Sequence, residues 1–307
     1  MIARTAFLAL LLSGTSAFAQ KQQIVAMSEK GDRIEITISD QPFAVLQLNK
    51  DGKLPKPFMS PVRGPGGTVL TRKIYMVRKD RDSDHPHHKG IWVAVDEVNG
   101  VKFWAEKGKI VTRSAKVEVD PKRSQVIHIV NEWRNASGET QVVEDTKIDV
   151  TPDRVVSYDI TFKAEKKPAE FHDTKEGLFG FRMVKSMQES QGGKVVSSSG
   201  KTGTKTLWGK TADWIDYTGE VDGKTFGVAI FDHPKNFRKS RYHVRNYGLF
   251  SINPWGEKSY AKNPVKPTVL KTGESLRLRY AMYIHAGDAN AAKVGSVYKR
   301  WVREAGK

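Results

Sequence analysis

The sequence predicts an all-β protein: a large antiparallel β-sandwich of the supersandwich kind with one C-terminal helix. Three observations predict it. Apolar and polar residues alternate with a period of two in segment after segment, and Gly, Pro, Asn and Asp turns separate those segments. One stretch near the C-terminus instead repeats apolar residues every three or four positions. Alternation describes strands with one buried face, and the longer period describes a helix laid on a surface.

In chain order, residues 1–19 read as a secretory signal, with Arg4 at the charged start, an apolar middle from Phe7 to Leu12, and Ala17-Phe18-Ala19 as the cleavage signature. The mature protein then begins at Gln20, is periplasmic or secreted, and forms a single sandwich domain over 20–307 without a linker. No later stretch approaches the roughly 20 apolar residues of a transmembrane helix. Strands are expected at 33–39, 115–120, 125–133, 146–151, 154–163, 177–184, 225–231 and 274–285. Turns such as Thr151-Pro152-Asp153-Arg154 and Val221-Asp222-Gly223-Lys224 close them off. Arg63-Gly64-Pro65-Gly66-Gly67 reads as a turn, and the Ser-, Gly- and Thr-rich run 197–206 as a mobile surface loop. The helix starts from Asp288 as its N-cap, runs through Ala291, Val294, Val297, Tyr298 and Trp301, and is expected to pack across the sandwich and cover an edge.

Composition narrows the function. With no cysteine there is no disulfide framework and no thiolate nucleophile, so any divalent metal must be held by histidine and carboxylate. The net charge of +17, one less once Arg4 leaves, is spread along the chain and favours anionic partners. No nucleic-acid-binding module accompanies it, which points to an acidic glycan or envelope surface rather than nucleic acid. The sequence lacks a Gly-x-Ser-x-Gly elbow, a phosphate loop, a His-Glu-x-x-His motif and a Rossmann fingerprint, so no nucleotide cofactor is expected.

The chemistry concentrates in Asp84-His85-Pro86-His87-His88-Lys89-Gly90-Ile91-Trp92. Histidine titrates near neutrality and ligates metals, and three within four residues exceed what a solvated strand-entry loop requires. Pro86 moves His85 out of the α region, so the run is expected to enter extended. Two further groups accompany it. His172, Asp173 and Glu176 offer an acid–base set, with a plain Lys175–Glu176 surface pair as the alternative. Along Arg241-Tyr242-His243-Val244-Arg245, His243 and Arg245 share one strand face, and the guanidinium fork suits a carboxylate or sulfate. Asp232-His233-Pro234 reads as a structural turn, and Trp255 as an exposed ring for stacking on a sugar, with a core position as the equal alternative; Trp92, Trp104 and Trp133 read as core.

These segments, with Pro61-Val62-Arg63-Gly64-Pro65-Gly66-Gly67, Thr71-Arg72, Val98-Asn99-Gly100-Val101-Lys102-Phe103-Trp104, Lys175-Glu176-Gly177 and His243 to Phe250, together resemble an exported bacterial family catalogued as "methane oxygenase PmoA-like". The resemblance covers nearly the whole mature chain. It implies a secreted β-sandwich similar to the galactose-mutarotase-like supersandwich, whose histidines and carboxylate act on a sugar ring. It does not imply a membrane oxygenase subunit, which would need several spans.

The leading reading is therefore a carbohydrate-active epimerase, lyase or dehydratase acting on an acidic oligosaccharide. His87, His88, Glu176 and His243 are its catalytic candidates: a histidine as general acid, Glu176 as general base. His85, Arg72, Arg182, Arg245, Tyr247 and Trp255 would bind substrate, and all are expected to converge in one cleft. A metal, if bound, would draw on His85, His87, His88 and His243. The other readings are a non-catalytic glycan-binding or envelope module and a metal-dependent hydrolase or oxygenase.

Overall fold

The computed structural model describes residues 24–121 and 124–305, and the secretory signal read at 1–19 lies outside them. The described residues form the expected antiparallel sandwich. One eight-stranded sheet has the order Val25–Lys30, Arg33–Ile38, Gln41–Gln47, Phe58–Val62, Ile91–Val93, Phe179–Arg182, Leu249–Asn253, Arg241–Val244. The second, also eight-stranded, runs Lys194–Ser197, Trp214–Val221, Lys224–Asp232, Ser275–Ala286, Val155–Lys163, Thr140–Val150, Ser124–Arg134, Lys109–Asp120. A small sheet of four strands holds Thr268–Leu270, Ala169–Phe171, Glu97–Val98 and Val101–Lys102.

Turn chemistry fixes the register where the sequence says it should. Val221 pairs with Lys224 across a two-residue turn whose Asp222 and Gly223 both have positive φ, 51° and 72°, matching the right-handed twist of the hairpin. At 151–154, Arg154 N donates to Thr151 O at 2.9 Å, with Pro152 setting the turn.

Alternation then decides which residues meet between the sheets. In the first sheet Phe179, Phe250 and Tyr242 point inward: Phe179 lies 4.8 Å from the Tyr158 ring, and Tyr242 Oη donates to Ile230 O at 2.9 Å. The cross-strand row of opposite parity, Trp92–Gly180–Ser251–His243, therefore faces away from the second sheet. This outer face carries the site.

Two sequence expectations need correction. The helix is Val294–Ala305, six residues later than the Asp288 cap, although Asp288 Oδ1 does accept from Asn290 N and Ala291 N at 3.0 and 2.9 Å. It lies on a face, not an edge: Val294, Val297, Tyr298 and Trp301 pack on Val155, Ala229, Phe231 and Ala281, from three central strands of the second sheet. The run 197–206 is an exposed loop over 198–202, bounded by the end of one strand at Ser197 and the start of the short helix Thr204–Leu207. Thr204 N donates there to Glu189 Oε1 at 2.9 Å.

Candidate functional site

The histidine run is a tight turn and not the extended entry expected of it. His88 N donates to His85 O at 3.0 Å, and His85 itself has φ of 45°, in the left-handed region. Four consecutive carbonyls of this turn are each taken by a cation. Arg72 Nη1 donates to Asp84 O at 2.7 Å and Nη2 to His85 O at 3.0 Å, Lys89 Nζ donates to Pro86 O at 2.5 Å, and Lys56 Nζ donates to His87 O at 2.8 Å. Asp84 Oδ1 accepts from Arg72 and Arg182, both at 2.6 Å, and Glu106 Oε1 accepts from Lys56 at 2.7 Å and Lys89 at 3.0 Å. Four cations thus share two carboxylates beneath the turn, leaving a local excess of positive charge. Burial lowers the Lys56 ammonium to about 8, against the pull of Glu106.

Above this floor the rings form a ladder. Tyr247 stacks on His85 at 5.2 Å, His85 on His88 at 5.0 Å, and His88 on Trp92 at 5.5 Å, with Trp104 at 5.5 Å from His88 closing the side. Trp92 lies flat across the neighbouring strand because residue 180 is glycine: a Cβ there would sit 2.7 Å from Trp92 Cζ2. Arg182 Nη1 lies 3.1 Å from His88 Nδ1, so the guanidinium donates and His88 is neutral, with its proton on Nε2. Burial first, and the neighbouring cations after it, push His88 well below its ordinary value and His87 down to about 3.

Beside the ladder, a second group is assembled by the loop before Phe179. Asn253 Nδ2 donates to Thr174 O and Glu176 O, each at 2.9 Å, and pins that loop to the outer face. His243 Nδ1 donates to Lys175 O at 3.0 Å, which leaves the lone pair on Nε2; burial lowers this imidazole to about 4. Glu176 Oε2 is 3.7 Å from His243 Nδ1, and its carboxyl is raised by burial, then by Asp96, against Lys175 and Arg245. Tyr247 joins the groups: the Arg245 guanidinium sits 5.6 Å and that of Arg182 4.9 Å from its ring centre, and the charge of Arg245 acts on Glu176, His243 and Tyr247 alike.

The structure thus brings together His85, His88, Arg72, Arg182 and Tyr247, sets Glu176 against His243, and puts Arg245 at the join. His85 and Arg245 are exposed, His87, Glu176 and Tyr247 are partly exposed, and His88 and His243 are buried. Several residues lie elsewhere than the sequence predicts. Arg72 and Arg182 are buried and committed to Asp84 and the turn, so they position it and do not meet substrate. Trp255 is 2% exposed and stacks on Phe171 at 4.6 Å, a core residue rather than a sugar platform. Arg245 lies past the end of its strand in a turn, Gly248 N donating to its carbonyl at 3.1 Å, so it does not alternate with His243. Asp173 caps the helix Glu257–Ala261 through Ser259 N at 2.9 Å, and His172 sits between Glu97 and Glu170, at 3.5 and 3.1 Å. Among the described residues no group of three or more His, Asp or Glu side chains is placed to hold a metal, so His85, His87, His88 and His243 do not form a ligand set. Lys56, Glu106, Gly180 and Ser251 were not legible as site residues; the Pro55-Lys56-Pro57 sandwich was the one local signal among them.

Fold and site together define an antiparallel β-sandwich with a histidine, carboxylate and arginine cluster on the outer face of one sheet. The chain belongs to the family described as "Family of unknown function (DUF6807)", which it matches over residues 33–299. No curated protein matches it. Among solved structures it is similar to the GH36 α-galactosidase of Geobacillus stearothermophilus, with TM-score 0.42 and 9% identity over 87% of this chain and 41% of that one. It is similar also to the α-galactosidase of Lactobacillus brevis, with TM-score 0.44 and 10% identity over 87% of this chain and 40% of that one. A putative aldose 1-epimerase of Escherichia coli K12 aligns with TM-score 0.40 and 10% identity over 87% of this chain and 100% of its own. The chain therefore spans about two fifths of the length of those α-galactosidases.

Proposed function

We propose that this protein is an exported carbohydrate-active enzyme that performs acid–base chemistry on an acidic oligosaccharide, as epimerase, lyase or dehydratase. The observation that carries the reading is the pairing of His243, neutral with an unprotonated Nε2, with Glu176, whose carboxyl burial keeps more readily protonated. This reverses the roles expected from sequence. His243 Nε2 takes a proton from the sugar ring, and the Glu176 carboxyl returns one to the leaving or ring oxygen. Arg245, exposed at the join, holds the substrate carboxylate by its planar fork, and the cationic floor under the histidine turn adds a favourable field. The exposed edge of His85, stacked between Tyr247 and His88, and the partly exposed Tyr247 border the sugar. Export rests on the Arg4 to Ala19 leader, and a periplasmic or secreted setting makes polysaccharide fragments, rather than nucleic acid, the anions to be met.

The test is incubation with uronate-containing and neutral oligosaccharides, followed by proton NMR and by the ultraviolet absorbance of an unsaturated product. Turnover should require the uronate, and Glu176→Gln or His243→Asn should each lower it by roughly 10²-fold or more with the fold intact. Binding without turnover by the wild type would instead identify a glycan-binding module, and wild-type turnover in both variants would overturn the assignment of roles.

A further inference from the structure

The second sheet carries a cavity on its own outer face, across the sandwich from the histidine turn. In the strand Trp214–Val221, Ile215 and Tyr217 are buried in the core between the sheets, Tyr217 meeting Phe250 at 6.0 Å. Alternation therefore directs Trp214, Asp216 and Thr218 outward. There, between this strand, Lys194–Ser197 and the loop at 288–290, lies a cavity of about 780 Å³. That volume falls within the range of small-ligand sites, about 300 to 1,000 Å³.

Asp216 lines this cavity and is wholly buried. Its Oδ1 lies 2.9 Å from His285 Nε2, while its Oδ2 has no hydrogen-bond partner. A buried carboxylate oxygen without a donor is costly, so one held in place beside a cavity marks where a ligand's donor belongs. The pair is built into the sheet. His285 reaches Asp216 across residue 227, and a Cβ there would stand 2.2 Å from His285 Cε1, so only glycine lets the imidazole lie flat. Around the acid the wall offers the partly exposed Trp214 ring and the hydroxyl of Thr218. Its charge is acidic: Glu189, Asp216 and Asp288 face Lys194 alone.

We propose that this cavity is a second carbohydrate site, for a neutral hexose unit. Ring hydroxyls donate to Asp216 Oδ2 and exchange hydrogen bonds with the Thr218 hydroxyl, while the apolar face of the sugar lies against Trp214. The acidic lining disfavours a uronate, the opposite preference to that of the cationic floor beneath the histidine turn. A polymer with alternating neutral and acidic units would engage both faces, but the neutral-sugar site stands independently of the chemistry at His243.

The experiment is saturation-transfer NMR and calorimetry on the full protein with the methyl glycosides of glucose, galactose and mannose, using galacturonate as the charged control. At least one neutral glycoside should bind. Asp216→Asn and Thr202→Trp should each weaken it at least about tenfold. Thr202 is exposed at the cavity wall, so its replacement blocks the space without touching the core and serves if the aspartate variant misfolds. Glu176→Gln should leave this binding unchanged, and Asp216→Asn should leave turnover of short uronate substrates unchanged, which separates failure here from failure of the catalytic reading. The proposal is overturned if no neutral glycoside binds in the millimolar range, if neither variant alters binding, or if galacturonate is preferred at this cavity.

Discussion

Replacing His243 by Asn tests the electrostatics of the site without reference to any substrate. Burial lowers this imidazole from the ordinary 6.5 to about 4 in the folded protein. In the unfolded chain it takes up a proton as pH falls through about 6.5. Between those values the unfolded state binds the proton and the folded state does not, so the contribution of His243 to stability is present near neutrality and is lost as pH falls from about 6.5 to 4. Around pH 5.5 the difference is nearly one proton, a slope of about 1.2 kcal/mol per pH unit. His243 is 3% exposed, so solvent screens little of this. Asparagine retains an N–H for Lys175 O but does not titrate. Urea unfolding followed by tryptophan fluorescence at pH 7, 6 and 5 should show a shallower loss of stability in the variant than in the wild type, by about that slope. His87, lowered to about 3, and His233, lowered to about 4, push in the same direction but remain in both proteins and cancel in the comparison. Identical slopes would show that His243 titrates alike folded and unfolded, and would remove the basis for treating it as a buried base.

Asp84→Ala should destabilise the fold by about 3 to 5 kcal/mol, because it leaves Arg72 and Arg182 buried without their shared carboxylate; chemical denaturation reads this, and a loss under about 1 kcal/mol would mean solvent already satisfies both cations. Trp255→Ala should cost about 3 to 5 kcal/mol through the cavity left beside Phe171, while leaving glycan binding per folded molecule intact. Weaker sugar binding at wild-type stability would restore the stacking role that burial argues against.

The strands were legible because alternation is imposed by the core itself: Ile34, Ile36 and Ile38 are all buried and the residues between them are not. The histidine turn was legible as a cluster but not as a shape. Its conformation depends on Lys56, Arg72 and Arg182, and a lone lysine between prolines carries no mark of what it will hold. Trp255 shows the same limit from the other side. Its Asn-Pro-Trp-Gly setting suggests an exposed turn, while Phe171, 84 positions earlier by sequence number, supplies the ring that covers it. Residue type predicted which groups have chemistry to offer; whether a charged or aromatic group faces outward was decided by partners remote in sequence. The opposite proton roles now proposed for His243 and Glu176 likewise rest on burial, which no local pattern encodes.

The bracing of the histidine turn has a consequence for how the chain reaches its native state. Asp84 meets Arg182 across a separation of 98 residues, and Lys56 meets Glu106 across 50. Contacts this distant must pay their loop-closure entropy before they return any stabilisation, which places them late in the assembly of a high-contact-order sandwich. Until Phe179–Arg182 docks beside Ile91–Val93, the turn has no Arg182 to hold it, and His87 and His88 lack the burial that lowers them in the folded protein. Proton affinity at His88 is thus a late reporter of sheet closure: a folding experiment that follows histidine ionisation should see the site appear only as the last strands of the first sheet come together.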